Sequence, residues 1–272
     1  SIYPDGFLPI IGGDVTDLSV GGGVRGEASA WDYDVSVVYG SNELDYSVLN
    51  SLNVSLGATS QTEFDAGSLE YDQVVFNAGV VRSFDTLLPG ETTLAFGVEY
   101  RDETFQIGQG EEASYVLGNF PGAAGSQVFA GFTPQSEVDV SRDNMGAYGE
   151  IEWAPNEQLQ LSAALRYEDY SDFGDTVNWK VTGRYDFSDA VAIRGAISTG
   201  FRAPSLQQQY FTATSTNFID GVPFEVGTFP ATSPAAVALG GQQLQAEKSD
   251  NYSIGTVLRP FPGFFVTVDA YR

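Results

Sequence analysis

Two stretches of this chain mix aromatic rings with amide and hydroxyl side chains, a combination that stacks on planar or sugar-like molecules and hydrogen-bonds their edges. Residues 108–141 offer Tyr115, Phe120, Phe129 and Phe132, and residues 201–246 offer Tyr210, Phe211, Phe218, Phe224 and Phe229. The competing reading of any one ring is that it packs one connector onto another. Arg202 opens the second stretch and is its only base. A third candidate is "EDYSDFGD", where Asp169, Asp172 and Asp175 recur every third residue. Carboxylates at that density suit Ca²⁺, but the spacing is not that of an EF-hand, and a turn built on Asp and Gly accounts for it more simply. No other metal or cofactor is expected.

Much chemistry is excluded. The chain has no His and no Cys, which removes Ser-His-Asp nucleophiles and His-ligated metals. Carboxylate pairs such as Glu150 and Glu152 share a strand face, and neither a phosphate-binding loop nor a dinucleotide fingerprint is present. No enzyme is expected. The 36 acids against 12 bases give a formal charge of −24, the opposite of a nucleic-acid footprint.

The elements that position these residues alternate with period two. In "EQLQLSAALRYE", Leu159, Leu161, Ala163, Leu165 and Tyr167 share one face, while Gln160, Ser162, Arg166 and Glu168 share the other. "TVNWKVTGRYDF", "AVAIRGAIST" and "WDYDVSVVYG" repeat the pattern, which is that of half-buried antiparallel strands. Ten strands are predicted, near 15–27, 31–40, 71–84, 91–107, 142–154, 158–170, 176–187, 190–200, 247–259 and 264–272. Short connectors (28–30, 85–90, 155–157, 188–189, 260–263) alternate with mostly long ones (41–70, 108–141, 171–175, 201–246). That asymmetry describes an outer-membrane β-barrel with tight periplasmic turns. A soluble β-sandwich binding module is the alternative. Against it stand the strand lengths, the outward aromatics at strand ends (Trp31, Tyr33, Tyr100, Trp153, Phe187), and charges such as Glu99, Arg101 and Glu103 on the face a wet lumen would occupy.

"GFRAPSLQQQYF" and the later "LQAEKSDNYSIG" resemble the barrel domain of TonB-dependent outer-membrane receptors. Gly200, Phe201, Arg202, Ala203, Pro204 and Leu206 match the family's strand-ending turn. Leu244, Glu247, Lys248 and Ser249 match the segment that starts the next strand, with Ala246 where Pro is usual. "RYEDYSDFGDTVNWKVTGRYDF" and "YPDGFLP" with "GVRG" resemble further barrel segments, so residues 1–272 read as a partial barrel domain. The resemblance implies a 22-stranded barrel in a Gram-negative outer membrane, an N-terminal plug domain, and a TonB partner met through a segment absent from this chain. Short turns on the periplasmic side would leave both chain ends extracellular, so the chain is expected to belong to a longer one.

The function so implied is energised uptake of a scarce ligand captured by surface loops, with a passive porin or structural barrel protein as the alternative. The four outer connectors as predicted hold thirteen acids (Glu43, Asp45, Glu63, Asp65, Glu70, Glu111, Glu112, Glu137, Asp139, Asp172, Asp175, Asp220 and Glu225) against Arg202 alone. That field repels anions, so a neutral or cationic ligand is expected, carbohydrate or peptide ahead of a catecholate. The other use for such acids is sharing divalent cations with lipopolysaccharide, which with membrane lipid is an expected partner.

Overall fold

The computed structural model describes every residue except 1, 86 and 221, and leaves aside the side chains of residues 216–219, 222, 223 and 225. Its wall is one antiparallel sheet of ten strands in chain order. These are β1 (Ile10–Ala28), β2 (Trp31–Leu49), β3 (Phe64–Phe84), β4 (Glu91–Gly108), β5 (Val138–Asn156), β6 (Leu159–Tyr170), β7 (Gly174–Ser188), β8 (Val191–Arg202), β11 (Glu247–Phe261) and β12 (Phe264–Tyr271). A separate hairpin, β9 (Ala213–Ile219) with β10 (Val222–Thr228), lies inside the connector between β8 and β11. Every wall strand pairs with its chain neighbours, as in an up-and-down barrel.

The two faces of the wall have opposite chemistry. On β6 to β8 the register pairs Leu165 with Trp179, Val181 with Ile197 and Tyr185 with Ile193. This face is bare: Leu165 is 55% exposed, Val177 53% and Phe187 61%. Arg166, Lys180, Arg184 and Arg194 alternate with it and share the inner face, as the sequence predicts. Arg166 ion-pairs there with Glu99 (3.3 Å) and Glu168 (3.0 Å). A soluble sandwich would bury the apolar face and expose the charged one; this wall does the reverse, as a lipid-facing barrel must. Tyr39, Tyr100, Tyr167 and Trp179 border the apolar band toward the long connectors, and Trp31, Trp153, Phe187 and Phe264 border it toward the short turns.

The strands run further outward than the alternation predicts. β2 continues to Leu49, and β3 and β5 start at Phe64 and Val138. Glu43, Asp45, Asp65, Glu70, Asp139 and Asp175 therefore sit on wall strands, with Glu43 directly opposite Glu70. Above the lipid both faces are wet, so pairing persists while hydrophobic alternation disappears. The true outer connectors, 50–63, 109–137, 171–173 and 203–246, hold seven acids and no base.

Connectors 50–63 and 109–137 fold into one cap over the ends of β2 to β5. Asn53, fully buried, donates from Nδ2 to the carbonyls of Ala113 (3.0 Å) and Val116 (2.8 Å) and accepts from the Ser55 amide (3.1 Å). The Phe132 amide donates to the Ala66 carbonyl at 3.0 Å, and the Gly110 amide donates to the Phe132 carbonyl at 2.9 Å. These pairings satisfy buried polar groups that water cannot reach.

Candidate functional site

Pro204 ends the β8 ladder because it has no N–H to donate, and its buried carbonyl finds another partner. Arg142 of β5, 5% exposed, donates to that carbonyl from Nη1 at 2.7 Å. The same guanidinium donates from Nε to Glu103 Oε2 at 2.9 Å and approaches Asp172 Oδ2 at 3.4 Å. Its carbon lies 5.3 Å from the centre of the Tyr170 ring. The Tyr71 hydroxyl donates to the other oxygen of Glu103, and Gln209 donates to Asp172 Oδ2 at 2.7 Å. One buried cation thus ties β4, β5, the β6–β7 hairpin and the segment after β8 together, above the apolar band.

Electrostatics follow from this packing. Burial works against the Arg142 charge, but Glu103 and Asp172 outweigh it and hold the proton more tightly than usual. Burial first, and Glu103 second, keep the Tyr71 phenol protonated far above its ordinary range. Burial and the nearby Glu168 push Tyr170 up to about 12. Arg101 pairs with Glu99 at 3.0 Å, so Arg101, like Arg142 and Arg166, is engaged by a carboxylate.

Beyond Pro204 the chain turns into a short helix, α2 (Leu206–Tyr210). Ser205 caps it by accepting from the Gln208 amide, and the Gln208 side chain answers by accepting from the Ser205 amide. Leu206, 1% exposed, drops into a core with Phe105, Ile107 and Phe132. Phe129, Tyr210 and Phe211 pack around that core, with Phe132 5.7 Å from Phe129 and 6.2 Å from Phe211, both edge to face. On the far side of the connector, Glu247, Lys248 and Ser249 pair with Arg202, Phe201 and Gly200. The two family segments are therefore facing rungs of one ladder, closing the long connector at its base.

A cavity of about 640 Å³ opens on the inner face beside Arg142, lined by Leu69, Tyr71, Phe105, Tyr170, Phe201 and Gln207 together with Arg101 and Glu168. A second of about 540 Å³ lies nearer the short turns, among Glu152, Lys180, Arg184, Arg194 and Asp269. There Arg194 reaches Asp269 (2.7 Å) and Arg184 reaches Asp186 (2.7 Å).

The predicted ring set divides in two. Phe129, Phe132, Tyr210 and Phe211 face one another in the core beneath the connectors, with Phe132 only 3% exposed. Phe120 (56%) and Phe224 (48%) are open to solvent, Tyr115 is half-buried, and Arg202 is exposed at the end of β8. The side chains of Phe218 and Glu225 lie outside the described residues. The proposed Ca²⁺ trio is not assembled. Asp169 and Asp175 are cross-strand partners on the exposed outer face, whereas Asp172 turns inward to Arg142 and Gln209. The hairpin turn directs Asp172 away from the two strand residues, and among the described residues no group of three carboxylates is placed to hold a metal. Sequence reading overlooked Arg142 and Tyr71, and placed Glu103 on the lumen face without a partner.

Comparison with known proteins agrees with this architecture. Curated relatives include the ferric enterobactin receptor PirA of Pseudomonas aeruginosa, 28% identical over 178 residues (62% of this chain, 21% of that protein). Another is the iron-regulated outer membrane virulence protein of Vibrio cholerae, 25% identical over 140 residues (52% and 18%). The chain thus spans about a fifth of the length of these relatives. The solved ferric enterobactin receptor PfeA of P. aeruginosa superposes with a TM-score of 0.65 at 15% identity, over 95% of this chain and 34% of that one. PirA and PfeA are named receptors, and the V. cholerae protein is named an outer membrane protein. Residues 5–272 match the family described as TonB dependent receptor-like, beta-barrel, and the chain belongs to that family.

Proposed function

We propose that this chain forms part of the barrel of an outer-membrane receptor that captures a scarce extracellular ligand at its mouth and imports it with TonB-coupled energy. The observation that carries the reading is the mouth itself. A tethered connector, 203–246, hangs from Arg142 over a cavity lined by rings and an amide, and the outer connectors expose Phe120 and Phe224. A passive pore needs no such anchored, aromatic-bearing loop. Charge supports a neutral or cationic ligand, carbohydrate or peptide ahead of a catecholate: the connectors carry seven acids and no base, and Arg101, Arg142 and Arg166 are each engaged by carboxylates. A second reading, a ferric siderophore, is favoured by the relatives named for iron regulation and ferric enterobactin.

The test is uptake by a strain lacking the full-length receptor, complemented or not, with radiolabelled oligosaccharides, peptides and ferric siderophores, in tonB⁺ and tonB⁻ backgrounds. Receptor-dependent uptake that vanishes without TonB is expected. Uptake that persists without TonB makes the protein a passive pore. Receptor-dependent transport of only multiply charged anionic chelates overturns the ligand assignment and leaves the receptor assignment standing.

A further inference from the structure

Most bases described in the lipid-crossing part of the wall face inward. Arg166, Lys180, Arg184 and Arg194 alternate with the apolar face, and Arg25 pairs with Asp34 on the inner side of β1 and β2. Arg82 instead shares its row on β3 with Val74, Phe76, Val80 and Phe84, the outward residues. It sits two residues from the short-turn end of its strand, inside the lower aromatic border.

Its surroundings fix the guanidinium without neutralising it. The carbon lies 4.6 Å from the Phe84 ring centre and 6.0 Å from that of Trp31. Nη1 donates to the Ser29 carbonyl at 3.4 Å, and Nε is buried with no hydrogen-bond partner. Among the described residues no carboxylate forms an ion pair with it. A charged side chain facing hydrocarbon is costly at mid-depth but nearly free at the interface, where its stem snorkels and its head meets lipid headgroups. An unpaired guanidinium set beside two rings presents a planar fork, which matches two oxygens of a phosphate.

We propose that Arg82, clamped by Trp31 and Phe84, binds the phosphodiester of a glycerophospholipid in the leaflet on the short-turn side. The site anchors one lipid to the wall at a fixed place, independently of what the receptor transports.

Native mass spectrometry of the full-length receptor tests this, titrated in detergent with short-chain phosphatidylglycerol, with inorganic phosphate and lipid A as competitors. Arg82→Ala is expected to weaken binding of one phospholipid by about fivefold, the worth of one interfacial cation, while Arg82→Lys retains most of it. Equal lipid retention by wild type and Arg82→Ala overturns the proposal. So does displacement by inorganic phosphate as effective as by lipid, which makes the site one for free phosphate, and so does a preference for lipid A, which belongs to the other leaflet. If Arg82→Ala fails to assemble, as judged by loss of heat-modifiable migration, Trp31→Leu decides. It keeps the charge and removes one clamp, and unchanged lipid retention in that variant counts against the site.

Discussion

Replacing Arg142 by Ala should release the long connector while leaving the wall intact. The change takes the cation from two carboxylates, Glu103 at 6% exposure and Asp172, and leaves the Pro204 carbonyl only the longer 3.4 Å contact from Gln209 Nε2. Removing one partner of a buried pair costs about 3–5 kcal/mol. The wall does not absorb this loss, because β4 and β5 remain joined by a continuous ladder from Glu91–Ala154 to Ile107–Val138. It falls on the docking of residues 203–211, whose open population should rise by roughly 150-fold for 3 kcal/mol. Hydrogen exchange of the full-length receptor reads this at the Gln209 and Phe211 amides, which are bonded to Ser205 and Gln207. Their protection should fall by about two orders of magnitude while that of β4 and β5 stays unchanged. Arg142→Met combined with Glu103→Leu should recover much of the loss, because apolar replacement of a whole buried pair is often near neutral. Protection in Arg142→Ala within about twofold of wild type, the scatter of an ordinary surface substitution, would refute the idea that this cation holds the connector.

The remaining expectations concern the rings, the faces and the phenol. Phe132→Ala should cost about 3–5 kcal/mol of local stability and expose the cap to protease, whereas Phe120→Ala and Phe224→Ala should leave protease resistance unchanged and weaken ligand binding; the reverse order in a proteolysis and binding series would show that the core has been misidentified. Leu165→Arg should impair assembly into lipid vesicles by about 2–4 kcal/mol, and Thr182→Arg, on the inner face, by far less; equal penalties in urea titrations would contradict the assigned faces. Tyr170, with its proton held to about 12, should contribute no phenolate absorbance at pH 10.5 (about the ordinary tyrosine range), so Tyr170→Phe should leave the 295 nm titration below that pH unchanged.

How much of this was legible in sequence depends on whether a feature has a period. Leu161, Leu165, Val181 and Ile197 against Arg166, Lys180, Arg184 and Arg194 made the wall and its sidedness readable, because lipid and lumen impose opposite chemistry on successive residues. That contrast ends at the upper tyrosines. Glu43, Asp45 and Glu70 continue the same strands in water on both sides, so nothing in their types separates strand from loop. Arg142 was less visible still. It is a lone base in "DVSRDN", and its partners lie 39, 30 and 62 positions away. Only the folded register brings them together, and the one hint available was its even-numbered place on an inward row. The rings were found as a set, but composition could not say which of them face ligand and which face each other.

The pairing of Arg202 with Glu247 has a consequence for how this protein can change. The 44 residues between them, 203–246, leave and re-enter the wall at adjacent rungs, so the sheet registers only that the ends meet. For a flexible segment the entropy of holding its ends together grows with the logarithm of its length, about 0.6 kcal/mol for each doubling. Insertions beyond the Arg142 tether therefore weigh little on barrel stability, whereas a single-residue slip between Gly200 and Ser249 would turn every side chain of the next strand to the wrong face. Selection can lengthen, shorten or rewrite the distal part of this segment almost freely, while the two short motifs at its base are held fixed by the geometry of the wall.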